Sequence, residues 1–208
     1  AQLRTALSRI ALVVVLMLSV AGSASAQQTV SDRYDHLFRK YTKRFFGPGY
    51  DWRIFKAQAM TESNLDPAAQ SRVGARGIMQ LMPTTFKEVQ SKNPEVLSID
   101  DAEWNIAAGV LYDRQLWRQL TDHSQIDERR RFMFASYNAG RGTVRRAQGV
   151  AEQKALDPLV WPSIEAVAPD VPNWRHEETL QYVSRIEQNV GRMDKAGRVR
   201  GGPRTRNE

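Results

Sequence analysis

The stretch AMTESNLDP, Ala59 to Pro67, places one carboxylate, that of Glu62, at the end of an apolar run and before turn-forming residues. A carboxyl group packed beside apolar side chains is poorly hydrated when charged, so its pKa rises. A carboxyl still protonated near neutral pH can donate a proton to a leaving-group oxygen. Glu62 is therefore the leading candidate for a general acid. The alternative is a solvated glutamate that finishes a helix.

The segment that follows, SRVGARGIMQLMPTT from Ser71 to Thr85, combines small residues with an apolar block. Glycines such as Gly74 and Gly77 allow positive φ and a close approach of the backbone to a ligand. The glycines alone favour an ordinary connection between two helices. Together with a carboxylate at a helix end, they favour a loop that borders an active site.

The elements that must position these residues are helical. Apolar residues between Thr29 and Asp194 recur at helical spacing almost throughout, and no run alternates with the period of a strand. Ser31 is a candidate cap for the first helix. The segment Trp52–Ser63 is apolar on nearly all sides, which is typical of a buried central helix, and Glu62 lies near its end. The pattern predicts a single all-α domain.

Further helices are predicted downstream from caps and apolar spacing. In chain order, the features are a capping box of Thr85 with Glu88, a cap at Asp100 or Asp101, a helix over 127–138, and a last helix with apolar residues from Leu180 to Met193. A proline-containing loop, Pro158 to Pro172, is expected before the last helix.

The first 26 residues have the composition of a secretory signal. Two arginines precede the apolar run Ile10–Val20, and the small residues that follow predict cleavage after Ala26. The alternative is a membrane anchor, but the run is short for a bilayer span of about 20 residues. We therefore expect a signal peptide at 1–26, a catalytic domain over 27–194 in the periplasm or outside the cell, and no stable membrane span after cleavage.

The amino-acid composition excludes several kinds of functional site. The 208 residues include no cysteine, which excludes a disulfide scaffold, a thiol nucleophile and a cysteine-ligated metal. The three histidines, His36, His123 and His176, are scattered, and we predict no metal and no cofactor. Part of the formal net charge of +7 lies in residues 195–208, a basic segment rich in Gly, Pro and Arg that is predicted to be a disordered tail.

Five sequence blocks together resemble the catalytic domain of the lytic murein transglycosylases. In order they are the pair Glu62-Ser63, SRVGARGIMQLMP, NIAAGVLYDRQLW, ASYNAG and ETLQYVSRI. The match covers roughly Asp35 to Met193, and its first part is most similar to the catalytic module of the membrane-bound F group. Any one block is weak evidence for the family, but five blocks in the same order are a specific match. The resemblance implies a goose-type-lysozyme-like helical fold whose central buried helix ends at the catalytic glutamate.

The resemblance also implies roles for individual residues. Glu62 matches the catalytic acid/base, and Ser63 belongs to the same signature. The substrate-binding positions that it implies are Ser71, Met79, Gln80 and Met82 along the loop, Tyr137 and Asn138 near the reacting sugar, and Glu178 and Tyr182 as a polar pair on the last helix. Two positions depart mildly from the family pattern. Ile78 stands where Leu is commoner, and Ser136 stands where Ala is usual.

The implied reaction cleaves the β-1,4 bond between N-acetylmuramic acid and N-acetylglucosamine and leaves a 1,6-anhydro-muramyl end. Ordinary glycosidases need two carboxylates. The two groups are about 5 Å apart in retaining enzymes and roughly 6.5–9.5 Å apart in inverting enzymes. Near Glu62, Asp66 stands before Pro67 and suits a turn, and Asp100 and Asp101 suit helix caps. In substrate-assisted enzymes the acetamido group of the sugar can serve as an internal nucleophile.

Two other functions fit the same fold. One is a goose-type-lysozyme-like muramidase, a hydrolase that would give reducing ends, and the other is an inactive peptidoglycan-binding scaffold. A basic nucleic-acid-binding protein is suggested by charge alone, and the signal segment disfavours it. The expected partners are therefore peptidoglycan glycan strands and not nucleic acid, and the expected oligomeric state is a monomer.

Overall fold

The computed structural model describes residues 32–122 and 125–200, which contain eight α-helices, one short 3-10 helix and no strand beyond three isolated bridges. The helices are α1 Asp35–Phe46, α2 Arg53–Ser63, α3 Pro83–Lys92, α4 Ala102–Arg118, α5 Ile126–Ala139, α6 Arg141–Gln153, α7 Trp161–Val167 and α8 His176–Arg192. The all-α prediction is confirmed. The features outside the described residues are the predicted signal segment 1–26, Ser31, His123 and residues 201–208.

Helix α2 is the central element of the core. Six consecutive residues, Ile54–Ala59, are buried, and the helix packs against α1 and α8. The helix stops where Asn64 and Leu65 adopt the left-handed conformation, with φ of 54° and 65°, a geometry that asparagine tolerates better than most residues. The predicted buried helix with Glu62 near its end is confirmed.

Two expectations about the connections are corrected. Helix α3 begins at Pro83, which suits a first helical position because proline has no amide hydrogen to satisfy. Thr85 therefore lies inside the helix and does not form a capping box. The predicted proline-containing loop before α8 contains the short helix α7. Of the two candidate caps of α4, Asp101 accepts the hydrogen bonds from two backbone amides of the first turn.

The first half of α2 buries a lysine. The Lys56 side chain is 0% exposed, and its Nζ lies 2.6 Å from Asp35 Oδ1 and 3.3 Å from Asp32 Oδ1. It also donates a hydrogen bond of 2.8 Å to the carbonyl oxygen of Gly197. An ammonium group removed from water needs such partners. The lysine thereby ties α2 to the segments at both ends of the described chain.

Residues 194–200 fold back over the start of α2. Arg53 donates to the Asp194 carbonyl oxygen, and Gly197 lies on the Trp52 ring with φ of 87°. The disordered tail predicted from residue 195 is therefore wrong for 195–200, where backbone and side-chain contacts hold the chain. Within the described ranges, no helix is both long and apolar enough to cross a bilayer.

The docking of the 194–200 segment predicts a large cost for a side chain at Gly197. An added Cβ would lie 2.1 Å from the Trp52 ring, at a positive φ that strains any other residue. Gly197→Ala should lower the free energy of unfolding by about 1–3 kcal/mol, measured by guanidinium denaturation. Gly149→Ala is the control, because this glycine of α6 has open space around its Cβ position and alanine favours a helix. Equal stability of the two variants would contradict the docking.

Candidate active site

Glu62 is half-buried at the end of α2, and its Oε1 accepts a hydrogen bond of 2.5 Å from the Tyr182 hydroxyl of α8. Burial raises the pKa of Glu62 to about 7, and the Tyr182 hydrogen bond acts in the opposite direction. Near neutral pH, both the protonated and the ionised carboxyl are therefore populated. A group of this kind can donate a proton in one step and accept one in the next.

Tyr137, on α5, lies close enough to Glu62 to respond to its charge. Burial foremost, and then the negative charge of Glu62, raise the pKa of Tyr137 well above its ordinary value. Its hydroxyl donates a 2.7 Å hydrogen bond to the carbonyl oxygen of Met79. Its ring packs against that of Tyr112 at a centroid distance of 5.3 Å. Tyr137 thus joins α5 to the loop after α2.

Met79 belongs to the core and does not line an open cleft. Its side chain is fully buried and packs so closely on Gly109 of α4 that a Cβ there would lie 2.7 Å from it. The role in lining the cleft that the resemblance implies is therefore not seen for the Met79 side chain. Met82 is 38% exposed and precedes α3, so it can contact a ligand.

Asn105, which the sequence analysis did not single out, fixes the loop after α2 through side-chain hydrogen bonds. Its Oδ1 accepts from the Met79 amide at 2.8 Å, and its Nδ2 donates to the carbonyl oxygens of Arg76 and Ile99. The side chain occupies the space left by Gly77, where a Cβ would lie 2.4 Å from Nδ2. The glycine is required by this contact and by its φ of 77°.

Three predicted polar residues bond to the loop's own backbone. Ser63 donates to the Ile78 carbonyl oxygen at 2.8 Å, and Ser71 accepts from the Ala75 amide at 2.9 Å. Gln80, at a φ of 46°, donates through Nε2 to the carbonyl oxygens of Ala69 and Gly77. Its Oε1 has no hydrogen-bond partner among the described residues and is free for a ligand. A groove of about 400 Å³ runs beside Ala69 and Gly77.

Asn138 belongs to a chain of hydrogen bonds. Trp174 Nε1 donates to Thr179 Oγ1 at 3.0 Å, and that hydroxyl donates to Asn138 Oδ1 at 2.9 Å. These three residues and Glu178 border a second groove of about 210 Å³. Glu178 pairs with Arg175 at 2.5 Å and is largely exposed. Glu178 and Tyr182 therefore do not act as a pair, since Tyr182 bonds to Glu62.

A second carboxyl, Asp113 of α4, lies buried behind the site. Its side chain is 0% exposed, and Gln58 Nε2 donates to its Oδ1 at 3.5 Å. Gln58 precedes Glu62 by four residues, so both lie on one face of α2. Burial raises the pKa of Asp113 well above its ordinary value; the Gln58 hydrogen bond lowers it and the charge of Glu62 raises it further. An acidic residue inside the apolar block NIAAGVLYDRQLW was the available signal.

The other carboxylates considered in the sequence analysis are structural. Asp66 accepts from the Ala68 amide at 2.9 Å, as a turn residue does. Asp100 pairs with Arg76 at 2.6 Å, and Asp101 caps α4. The arrangement therefore offers one accessible carboxyl with a raised pKa.

The chain matches the family model described as the transglycosylase SLT domain over residues 37–159. It is 36% identical over 149 residues to the membrane-bound lytic murein transglycosylase F of Desulfosudis oleivorans, covering 66% of this chain and 32% of that protein. The Shewanella woodyi protein of the same name is 33% identical, over 71% of this chain and 30% of that protein. The chain thus spans about a third of the length of the curated relatives that it matches.

A solved structure shares the fold. The 70 kDa soluble lytic transglycosylase from Escherichia coli is 25% identical, with a TM-score of 0.50, over 81% of this chain and 26% of that chain.

The raised pKa values of Glu62 and Asp113 predict that stability depends on pH. Both carboxyls bind a proton more tightly in the folded state, so their contribution to the free energy of unfolding is fully present below their ordinary pKa values of 4.5 and 3.8 and is lost as the pH rises through the folded values. For Glu62, whose pKa moves from 4.5 to about 7, the loss is about 3 kcal/mol.

This dependence is measured by denaturation between pH 4 and 8. Glu62→Gln should remove the part of the decline that comes from Glu62, about 3 kcal/mol, and adding Asp113→Asn should flatten the remainder further. Glu165→Gln, at an exposed position of α7, is the control and should leave the decline unchanged. Parallel curves for the wild type and the double variant would show that neither carboxyl is proton-bound in the folded state.

Proposed function

Because the chain belongs to the transglycosylase SLT domain family, we propose that it is a peptidoglycan lytic transglycosylase with Glu62 as its acid/base. It cleaves the β-1,4 bond between N-acetylmuramic acid and N-acetylglucosamine and leaves 1,6-anhydro-muramyl ends. The observation that carries the proposal is the half-buried Glu62 carboxyl, whose pKa is raised to about 7 and which Tyr182 orients.

In the first step, protonated Glu62 donates its proton to the glycosidic oxygen as the bond to the anomeric carbon breaks. The carboxylate that results is stabilised by the Tyr182 hydroxyl, since hydrogen bonds to charged acceptors are stronger than those to neutral ones. Tyr182 therefore favours the transfer and holds the carboxyl in one orientation. General acid–base catalysis of this kind contributes about 10²–10⁴-fold to the rate.

The positive charge at the anomeric carbon needs a partner, and the part of the chain that the structure describes offers no obvious carboxylate for it. Asp113, which senses Glu62, is fully buried and cannot contact a sugar. Asp66, Asp100 and Asp101 are held by the contacts described above. We infer that the acetamido oxygen of N-acetylmuramic acid attacks the anomeric carbon, as in substrate-assisted glycosidases.

In the second step, ionised Glu62 accepts the proton of the C6 hydroxyl of the same sugar. The C6 oxygen closes onto the anomeric carbon, the acetamido oxygen leaves, and Glu62 is protonated again. No water is consumed. The two grooves, beside Gly77 and beside Asn138, would hold the glycan strand, and Asn138 lines the second of them. Outside the linings of the two grooves, the Gln80 amide and the Met82 side chain would be further contacts.

The cellular setting follows from the same proposal. We place the chain in the periplasm or outside the cell, as a monomer acting on glycan strands, on the strength of the signal-like residues 1–26. The relatives that it matches carry the words "membrane-bound" in their names.

Glu62→Gln should lower the release of fragments from purified peptidoglycan by about 10²-fold or more, because the amide cannot donate or accept the proton. Glu165→Gln is the control and should keep full activity. Mass spectrometry of the wild-type products should show anhydro ends. Products heavier by one water would support the muramidase, and an absence of products the inactive scaffold. Near-wild-type clearing by Glu62→Gln would remove Glu62 from the mechanism.

Tyr182→Phe should shift the pH dependence of the rate. The Tyr182 hydrogen bond lowers the pKa of Glu62, so its loss should move the alkaline limb of the kcat/KM profile to higher pH. The maximal rate should fall about tenfold, because the carboxylate formed in the first step loses a charge-assisted hydrogen bond. An unchanged alkaline limb would mean that Tyr182 does not contact the reacting carboxyl in solution.

A further inference from the structure

A separate pocket of about 160 Å³ lies between α6 and the end of α4. One face of α6, at positions 141, 144, 145 and 148, forms a wall, and Ser136 of α5 and the residues just after α4 form the rest. The spacing i, i+3, i+4, i+7 brings these side chains to one side of a helix. None of the lining residues borders the two grooves assigned to the glycan strand.

The pocket carries excess positive charge. Arg141 bonds to the side-chain oxygen of Gln119, and neither Arg141 nor Arg145 forms an ion pair with the residues that the structure describes. One carboxylate, that of Asp122, also lines the pocket. Two guanidinium groups and one carboxylate leave a net charge of +1. The amino-terminal end of α6, which begins at Arg141, adds a favourable field for an anion.

Ser136 gives an independent sign of a ligand. The residue is 1% exposed, lines the pocket, and its hydroxyl has no hydrogen-bond partner among the described residues. Leaving a buried hydroxyl unsatisfied is unfavourable, so most such groups have a partner.

We propose that this pocket binds the terminal carboxylate of a peptide. Guanidinium groups bind carboxylates through paired hydrogen bonds, and the net charge of +1 matches a monoanion, whereas a phosphate dianion would face Asp122 with excess negative charge. The buried side chains of Leu120 and Val144 offer apolar contact for a small residue beside the carboxylate. The choice of a peptide with a terminal alanine, as in peptidoglycan stems, rests on the proposed function; the carboxylate site itself does not.

The test is a titration of the full chain with N-acetyl-D-alanyl-D-alanine, followed by NMR shifts of backbone amides. The free acid should bind and shift the amides around Ser136 and Arg141. Its carboxamide and inorganic phosphate should bind at least tenfold more weakly. Arg145→Gln, at an exposed side chain whose loss should not disturb the fold, should weaken binding about tenfold, and Arg141→Gln with Arg145→Gln should abolish it. Ser136→Ala should weaken it severalfold.

Arg146→Gln is the matched control, because Arg146 lies on the same helix but outside the pocket, and it should bind like the wild type. Glu62→Gln should also bind normally, so a failure of the proposed activity and a failure of this site are distinguishable. Equal binding of the carboxamide, tighter binding of phosphate, no binding at millimolar peptide, or wild-type binding by the double arginine variant would each overturn the proposal.

Discussion

The hydrogen bond from Tyr182 to Glu62 connects the fold to the chemistry. It joins the end of α2 to α8, two helices that pack along their length, and a second bond from Asn189 to Thr61 fixes the same pair. Burial in this contact raises the proton affinity of Glu62, and the hydroxyl moderates the rise. The result is a carboxyl poised between acid and base, which neither a solvated nor a fully enclosed glutamate would be.

The loop after α2 shows a different use of polar residues. Asn105, Ser63 and Tyr137 all bond to its backbone, and the buried Met79 side chain anchors it in the core. Most of these side chains therefore position the loop, while Gln80 Oε1 and the exposed Met82 remain for a ligand. A residue can belong to a functional signature because it shapes the site and not because it contacts the substrate.

Much of this arrangement was predictable from local pattern. The continuous apolar surface of α2 indicated a central helix, and a carboxylate at its end indicated the acid. Asp113, Asn105 and Thr179 were not found, because their roles depend on partners distant in sequence. The contact of Lys56 with Gly197 spans 141 residues, and composition alone suggested disorder for the segment that makes it. Proline spacing likewise suggested a loop where α7 forms, although proline is well tolerated at a helix start.

The central claim is that Glu62 holds its proton near neutral pH because burial at the end of α2 disfavours its charged form. An NMR titration of the Glu62 side-chain carboxyl carbon in the intact, substrate-free chain tests this directly. The structure predicts a midpoint of about 7. A midpoint near 4.5, the ordinary value for glutamate, would show a fully hydrated group and contradict the account.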